Sequence, residues 1–182
     1  WGCRNYGPLH SWADHYEAEV ARAAGALIRQ LGDVSAEKAA EAAVRLGAMR
    51  AHQAVDGLAQ AVSDPRPAVR REAVRAVILL DGAEAAVPAL VRALEGASER
   101  GWRHLLVGAL ARTPHPDGGA ALQRILGDTS LRDVTRKLAA RGLGRIVHGP
   151  AVPLLIAALA KPGLRSDAIE SLKRITNRSF SS

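Results

Sequence analysis

DPRPAVRREAVRAV, residues 64–77, opens as a turn and continues as one face of a helix. Asp64 and Pro65 predict a capping carboxylate followed by proline in the first helical position. Counting from Arg70, apolar residues stand three, four and seven positions on, at Ala73, Val74 and Val77. That spacing is one side of an α-helix. The same pattern returns three times. From Arg103 it gives Leu106, Val107 and Leu110; from Arg136, Ala139, Ala140 and Leu143; from Arg165, Ala168, Ile169 and Leu172. The four arginines stand 33, 33 and 29 residues apart.

A second periodic series lies ahead of each arginine. Leu58, Leu90, Leu122 and Leu155 recur at intervals of 32, 32 and 33, each with an apolar partner four residues on: Val62, Leu94, Leu126 and Leu159. Each unit is therefore two helices and a turn, in the size range of stacked solenoid repeats. Gly82, Gly96, Gly127 and the run Lys161-Pro162-Gly163 sit where turns are needed. Asp128, Thr129 and Ser130 offer capping groups ahead of the helix that carries Arg136.

These segments resemble the HEAT-like repeat of the phycobilisome-lyase type. The likeness is carried by the Asp-Pro turn and Val-Arg pair of residues 64–77, and by AVPALVRAL (86–94) and AVPLLIAAL (151–159) as the preceding helix. It extends over about residues 33–176 and weakens before residue 52. It implies an all-α protein, an α-α superhelix of about five helix pairs, with the second helices lining its concave side. One departure stands out. Six residues before Arg103, Arg136 and Arg165, where Asp64 precedes Arg70, the chain has Ala97, Ser130 and Leu159. The expected organisation is an aromatic-rich N-terminal segment (1–16) that caps the array, the repeats (17–176) and a short tail (177–182).

Composition agrees. The chain has 182 residues, 48% hydrophobic and only 3% aromatic, which disfavours a β-sandwich or barrel. Four of the six aromatics, Trp1, Tyr6, Trp12 and Tyr16, fall in WGCRNYGPLHSWADHY. In that segment Ser11 is the expected N-cap of a helix reaching about Leu31. A single cysteine, Cys3, excludes an internal disulfide and a thiolate zinc cluster. The longest apolar run, 152–160, is too short to span a bilayer, so a soluble protein is expected. A chain that begins at Trp1 and holds only Met49 reads as processed or trimmed, and its compartment stays open.

The repeated arginines Arg70, Arg103, Arg136 and Arg165 fall near the middle of each inward face. A cation there needs acceptors, and the expected role is structural: a ladder of hydrogen bonds linking repeat to repeat. Positions one, five and nine beyond them point away from the core. Seven of those twelve positions are basic: Arg71, Arg75, Arg112, Lys137, Arg141, Arg145 and Arg174. Stacking would align them as a basic stripe. The net charge is +7, and residues 121–182 hold eleven Lys and Arg against four Asp and Glu.

No catalytic constellation emerges. His10 and Asp14 could share a helical face but His15 would point elsewhere, so a third well-placed metal ligand is absent, and none of the six histidines precedes a glutamate. Neither a phosphate loop nor a nucleophile elbow is present. Trp102 reads as packing between helices. The expectation is a non-enzymatic scaffold, without metal, cofactor or membrane span, whose stripe engages a protein with an acidic surface. Sequence-independent nucleic-acid binding through the same stripe is the alternative, and a bilin lyase-like subunit the second.

Overall fold

The computed structural model describes residues 7–177, with side chains from Ala18 onward. Ten α-helices follow one another: α1 (Gly7–Gln30), α2 (Ala36–Ala48), α3 (Val55–Ala61), α4 (Pro67–Leu79), α5 (Val87–Glu95), α6 (Arg100–Arg112), α7 (Asp117–Gly127), α8 (Asp133–Ile146), α9 (Val152–Ala158) and α10 (Pro162–Thr176). No strand occurs among the described residues. The helices form five pairs, stacked as a HEAT-like superhelix. Short 3₁₀ turns lead into α3, α5 and α9.

Prolines fix several entries. Pro67, Pro88, Pro153 and Pro162 occupy the first two positions of α4, α5, α9 and α10, where the missing N–H leaves no bond unmade. Pro65 is not among them. Asp64 Oδ1 accepts the Arg66 N–H two residues on, at 2.8 Å. This Asx turn holds the chain for two more residues, so Arg66 precedes α4 and Pro67 opens it. Ser11 is likewise not a cap, because α1 already begins at Gly7. The boundary expected at residue 16 falls inside that helix. The side chains of His10, Asp14 and His15, and of the four N-terminal aromatics, lie outside the described residues, as does the chain after residue 177.

The core runs between the two layers. Leu58, Leu90, Leu122 and Leu155 are completely buried, one on each of α3, α5, α7 and α9. The second helices answer with the three, four and seven positions, all buried except half-buried Ile169. Alanines fill much of the remaining interior, which explains how a chain so poor in aromatics still packs.

The two layers are unequal. Each second helix lies closer to the next one than the first helices do to theirs, so the second layer is the inner side of the curve. Small residues permit this in a fixed register, eight positions beyond the repeat origin on one helix against six on the next. A Cβ on Gly47 would come within 2.8 Å of Ala76 Cα, one on Gly142 within 2.9 Å of Ala111 Cα, and one on Gly144 within 2.8 Å of Ser171 Cα. At the α4–α6 step those positions hold Ile78 and Ala109, and this step is the loosest of the four.

Candidate functional site

The arginine column bonds within each unit rather than between units. Arg70 donates to the Pro65 carbonyl at 3.2 Å, Arg103 to Ala97 at 2.6 and 3.1 Å, Arg136 to Leu126 at 2.9 Å, and Arg165 to Leu159 at 2.9 Å. All four acceptors lie at the end of the unit's first helix or in the following turn. Each arginine therefore closes its own helix–turn–helix by satisfying a carbonyl of the helix end or of the turn that follows it. Burial varies, from Arg136 at 5% exposure to an exposed Arg165. One contact does cross units: the Arg70 guanidinium sits 5.5 Å from the centre of the Trp102 ring. Trp102 is buried between helices, as a packing residue should be.

The hydrogen bond that joins turns of successive units comes from a residue outside the column. Arg66 Nη1 donates to the carbonyls of Asp33 and Val34, at 2.7 and 3.1 Å. Its Nε and Nη2 are held by Asp64 at 2.9 and 2.7 Å. Bonding to Arg66 keeps the Asp64 carboxyl below its ordinary value and raises the Arg66 guanidinium, despite partial desolvation. Asp128 is also lowered, chiefly by hydrogen bonds from Ser130 and further by Arg103 and Arg136. Asp33, Asp64 and Asp128 make the same Asx turn, onto Ser35, Arg66 and Ser130. All three lie two residues after Leu31, Val62 and Leu126. Alignment on the arginines hides this, because the turn before Arg136 is two residues longer than the one before Arg70. Alignment on the leucines reveals it.

The seven stripe cations lie on the exposed faces of α4, α6, α8 and α10, on the inner layer. Acidic neighbours engage four of them. Arg71 Nη2 meets Glu99 at 2.6 and 2.7 Å, and Arg75 pairs with Glu72. Arg141 Nε donates to buried Asp167 at 2.5 Å, and Arg174 to Glu170 at 3.0 Å. Arg145 donates to the Ala111 carbonyl at 2.9 Å and so caps the end of α6 from the next unit. Arg112 and Lys137 have no hydrogen-bond partner among the described residues. The stripe is thus basic in composition but interrupted in charge. Glu72 and Glu170 were readable from their three- and four-residue spacings; Glu99 and Asp167 pair across units, which no local spacing shows.

The same face changes character at its N-terminal end. By the register of buried positions, Ala40, Val44 and Ala48 of α2 correspond to Arg71, Arg75 and Leu79 of α4. Val44 and Leu79 are 48% and 47% exposed. An apolar patch therefore continues into the cations of the later units.

Among the described residues, no three His, Cys, Asp or Glu side chains gather as a metal site. None of their helices is long and apolar enough to cross a membrane. The HEAT repeats family matches residues 24–104, and the PBS lyase HEAT-like repeat matches residues 135–161. The chain is a HEAT-like repeat protein. Solved structures share this HEAT-like fold at low identity. One engineered protein is 22% identical, with a TM-score of 0.67 over 86% of this chain and 79% of that one. The complex of CpcE and CpcF of phycocyanin lyase from Nostoc sp. PCC7120 is 24% identical, with a TM-score of 0.70 over 84% of this chain and 64% of that one. A second engineered protein is 21% identical, with a TM-score of 0.61 over 86% and 47%. No curated protein matches this HEAT-like chain in sequence.

Proposed function

We propose that this protein is a non-enzymatic scaffold that binds an acidic, amphipathic segment of another protein along the exposed face of its second helices. The carrying observation is the pairing of free cations with exposed apolar residues on that one face: Arg112 and Lys137 beyond Val44 and Leu79. Apolar side chains of the partner would dry the α2–α4 end, and carboxylates would meet the two unpaired cations. The shifted ionisable groups support a scaffold, since Asp64, Arg66 and Asp128 all owe their shifts to turn hydrogen bonds. A nucleic-acid backbone is a poorer fit, because Glu72, Glu99, Asp167 and Glu170 interrupt the cations it would follow. For the bilin lyase-like reading, the likeness to the CpcE and CpcF complex supports the fold alone.

The test uses a labelled peptide of leucine and glutamate residues, with binding followed by anisotropy. The double variant Arg112→Glu, Lys137→Glu should weaken it roughly tenfold or more with helicity unchanged. Val34→Asp, on the turn between α1 and α2, should leave affinity alone. Equal affinity of the double variant and the wild type would remove the proposal.

A further inference from the structure

The turn edge between the third and fourth units holds a second concentration of charge, away from the exposed helix face. A cleft of about 320 Å³ is lined there by Arg100 and Arg103 of α6, by Arg132 and Thr135 around the start of α8, and by Ser98 and Ser130 of the two turns. No acidic side chain lines it. The matching edge between the second and third units, about 430 Å³, sets Arg70 and Arg92 against Asp64 and Glu99 and is balanced.

Arg132 is the repeat equivalent of Arg66. Both stand four residues before their column arginine and immediately before their helix. Arg66 has every donor nitrogen occupied, by Asp64 and by the turn of the preceding unit. Arg132 makes no side-chain hydrogen bond among the described residues. The longer turn explains the difference: it places Asp128 four residues before Arg132 instead of two, and Asp128 turns to the Ser130 N–H and hydroxyl, at 2.9 and 2.6 Å. The preceding unit also has Gly96 where the first two units have Asp33 and Asp64. Arg132 thus has the position of a clamp without its acceptors. Arg100 has no hydrogen-bond partner among the described residues either, and Arg103 uses only Nε and Nη2 on Ala97.

Two neighbouring acids are directed elsewhere: Glu99 is held by Arg71, and Asp133 lies 3.6 Å from Arg136. Asp128 is hydrogen-bonded to Ser130 and is felt by Arg103 only through space. Neither α6 nor α8 has a side chain capping its first turn. The Thr135 hydroxyl is already paired with His104, at 2.9 Å.

We infer that this cleft binds a phosphate group, free or as a monoester on a small molecule, through Arg100, Arg103 and Arg132. Three guanidinium groups suit a doubly charged tetrahedral oxyanion, whose oxygens can accept from more than one fork. The volume sits at the low end for small-molecule sites, roughly 300–1,000 Å³. This inference does not depend on the peptide-binding face.

The full chain, labelled with ¹⁵N, would be titrated with inorganic phosphate at constant ionic strength, and with chloride as the reference. Amides of residues 98–102 and 130–135 should shift and saturate. Arg100→Ala with Arg132→Ala should weaken the response roughly tenfold, while Arg112→Ala should not. Should the double variant lose helicity, Arg132→Gln alone replaces it, with weakening again expected. Phosphoserine as a second probe distinguishes the sources: saturation by both ligands means the group is read on a small molecule, and saturation by inorganic phosphate alone means the free ion. Three results would overturn the inference: no shift beyond chloride, shifts spread along the exposed faces of α4 to α10, or undiminished affinity in the folded variant.

Discussion

Asp64 shows how much one side chain does at a repeat boundary. It closes an Asx turn and holds Arg66, which in turn reaches the preceding unit. Its depressed pKa gives a signed expectation. The stabilisation is fully present above the unfolded-state value near 3.8 and is lost as pH falls through the lower folded-state value. Asp64→Asn should therefore lower the urea midpoint at pH 7, and the gap to wild type should narrow as pH falls below 3.8. Val147 offers the opposite case. It follows α8 in a left-handed conformation, φ 56° and ψ 46°, with its side chain exposed. A β-branched residue is strained there, whereas glycine is not. Val147→Gly should stabilise the protein by about 1 kcal/mol, read from the urea midpoint.

Helices were legible because each carries its own periodicity. The three, four and seven positions found the buried faces of α4, α6, α8 and α10, and the leucine series found the first helices. Turn lengths were less legible, because Asp-Pro at 64–65 has the form of a helix start and only the backbone hydrogen bond reveals the Asx turn. The contacts between units were hidden for a different reason. Arg66 to Asp33, Arg141 to Asp167 and Gly142 against Ala111 each require knowing which turn of one helix faces which turn of the next. Gly142→Ala tests that register. The added methyl meets Leu122 Cδ1 at 2.6 Å and backbone at 2.9 Å, so it must push α6 and α8 apart. The expected loss is about 1–3 kcal/mol in chemical unfolding, even though alanine favours helix. Gly149→Ala meets nothing within 4 Å and should be nearly neutral.

At the scale of the whole molecule, stacking makes stability a sum of units and their interfaces. Inner units have two neighbours and end units one. Amide hydrogen exchange should therefore be slowest in α3 to α8 and faster in α2 and α10. Uniform protection along the chain would contradict this picture. The charge excess lies in the last third of the sequence, but its effect was not legible there. Asp167, in the same third, neutralises Arg141 only because α8 and α10 are adjacent.

The unequal helix spacing also gives the molecule a mechanical character. A curved stack whose inner layer is held by glycine, alanine and serine contacts behaves as a short coil spring, stiff where backbones touch. Its compliant link is the α4–α6 step, where Ile78 replaces a small residue and an open groove runs beside Trp102. Tension between the ends would open the coil there first.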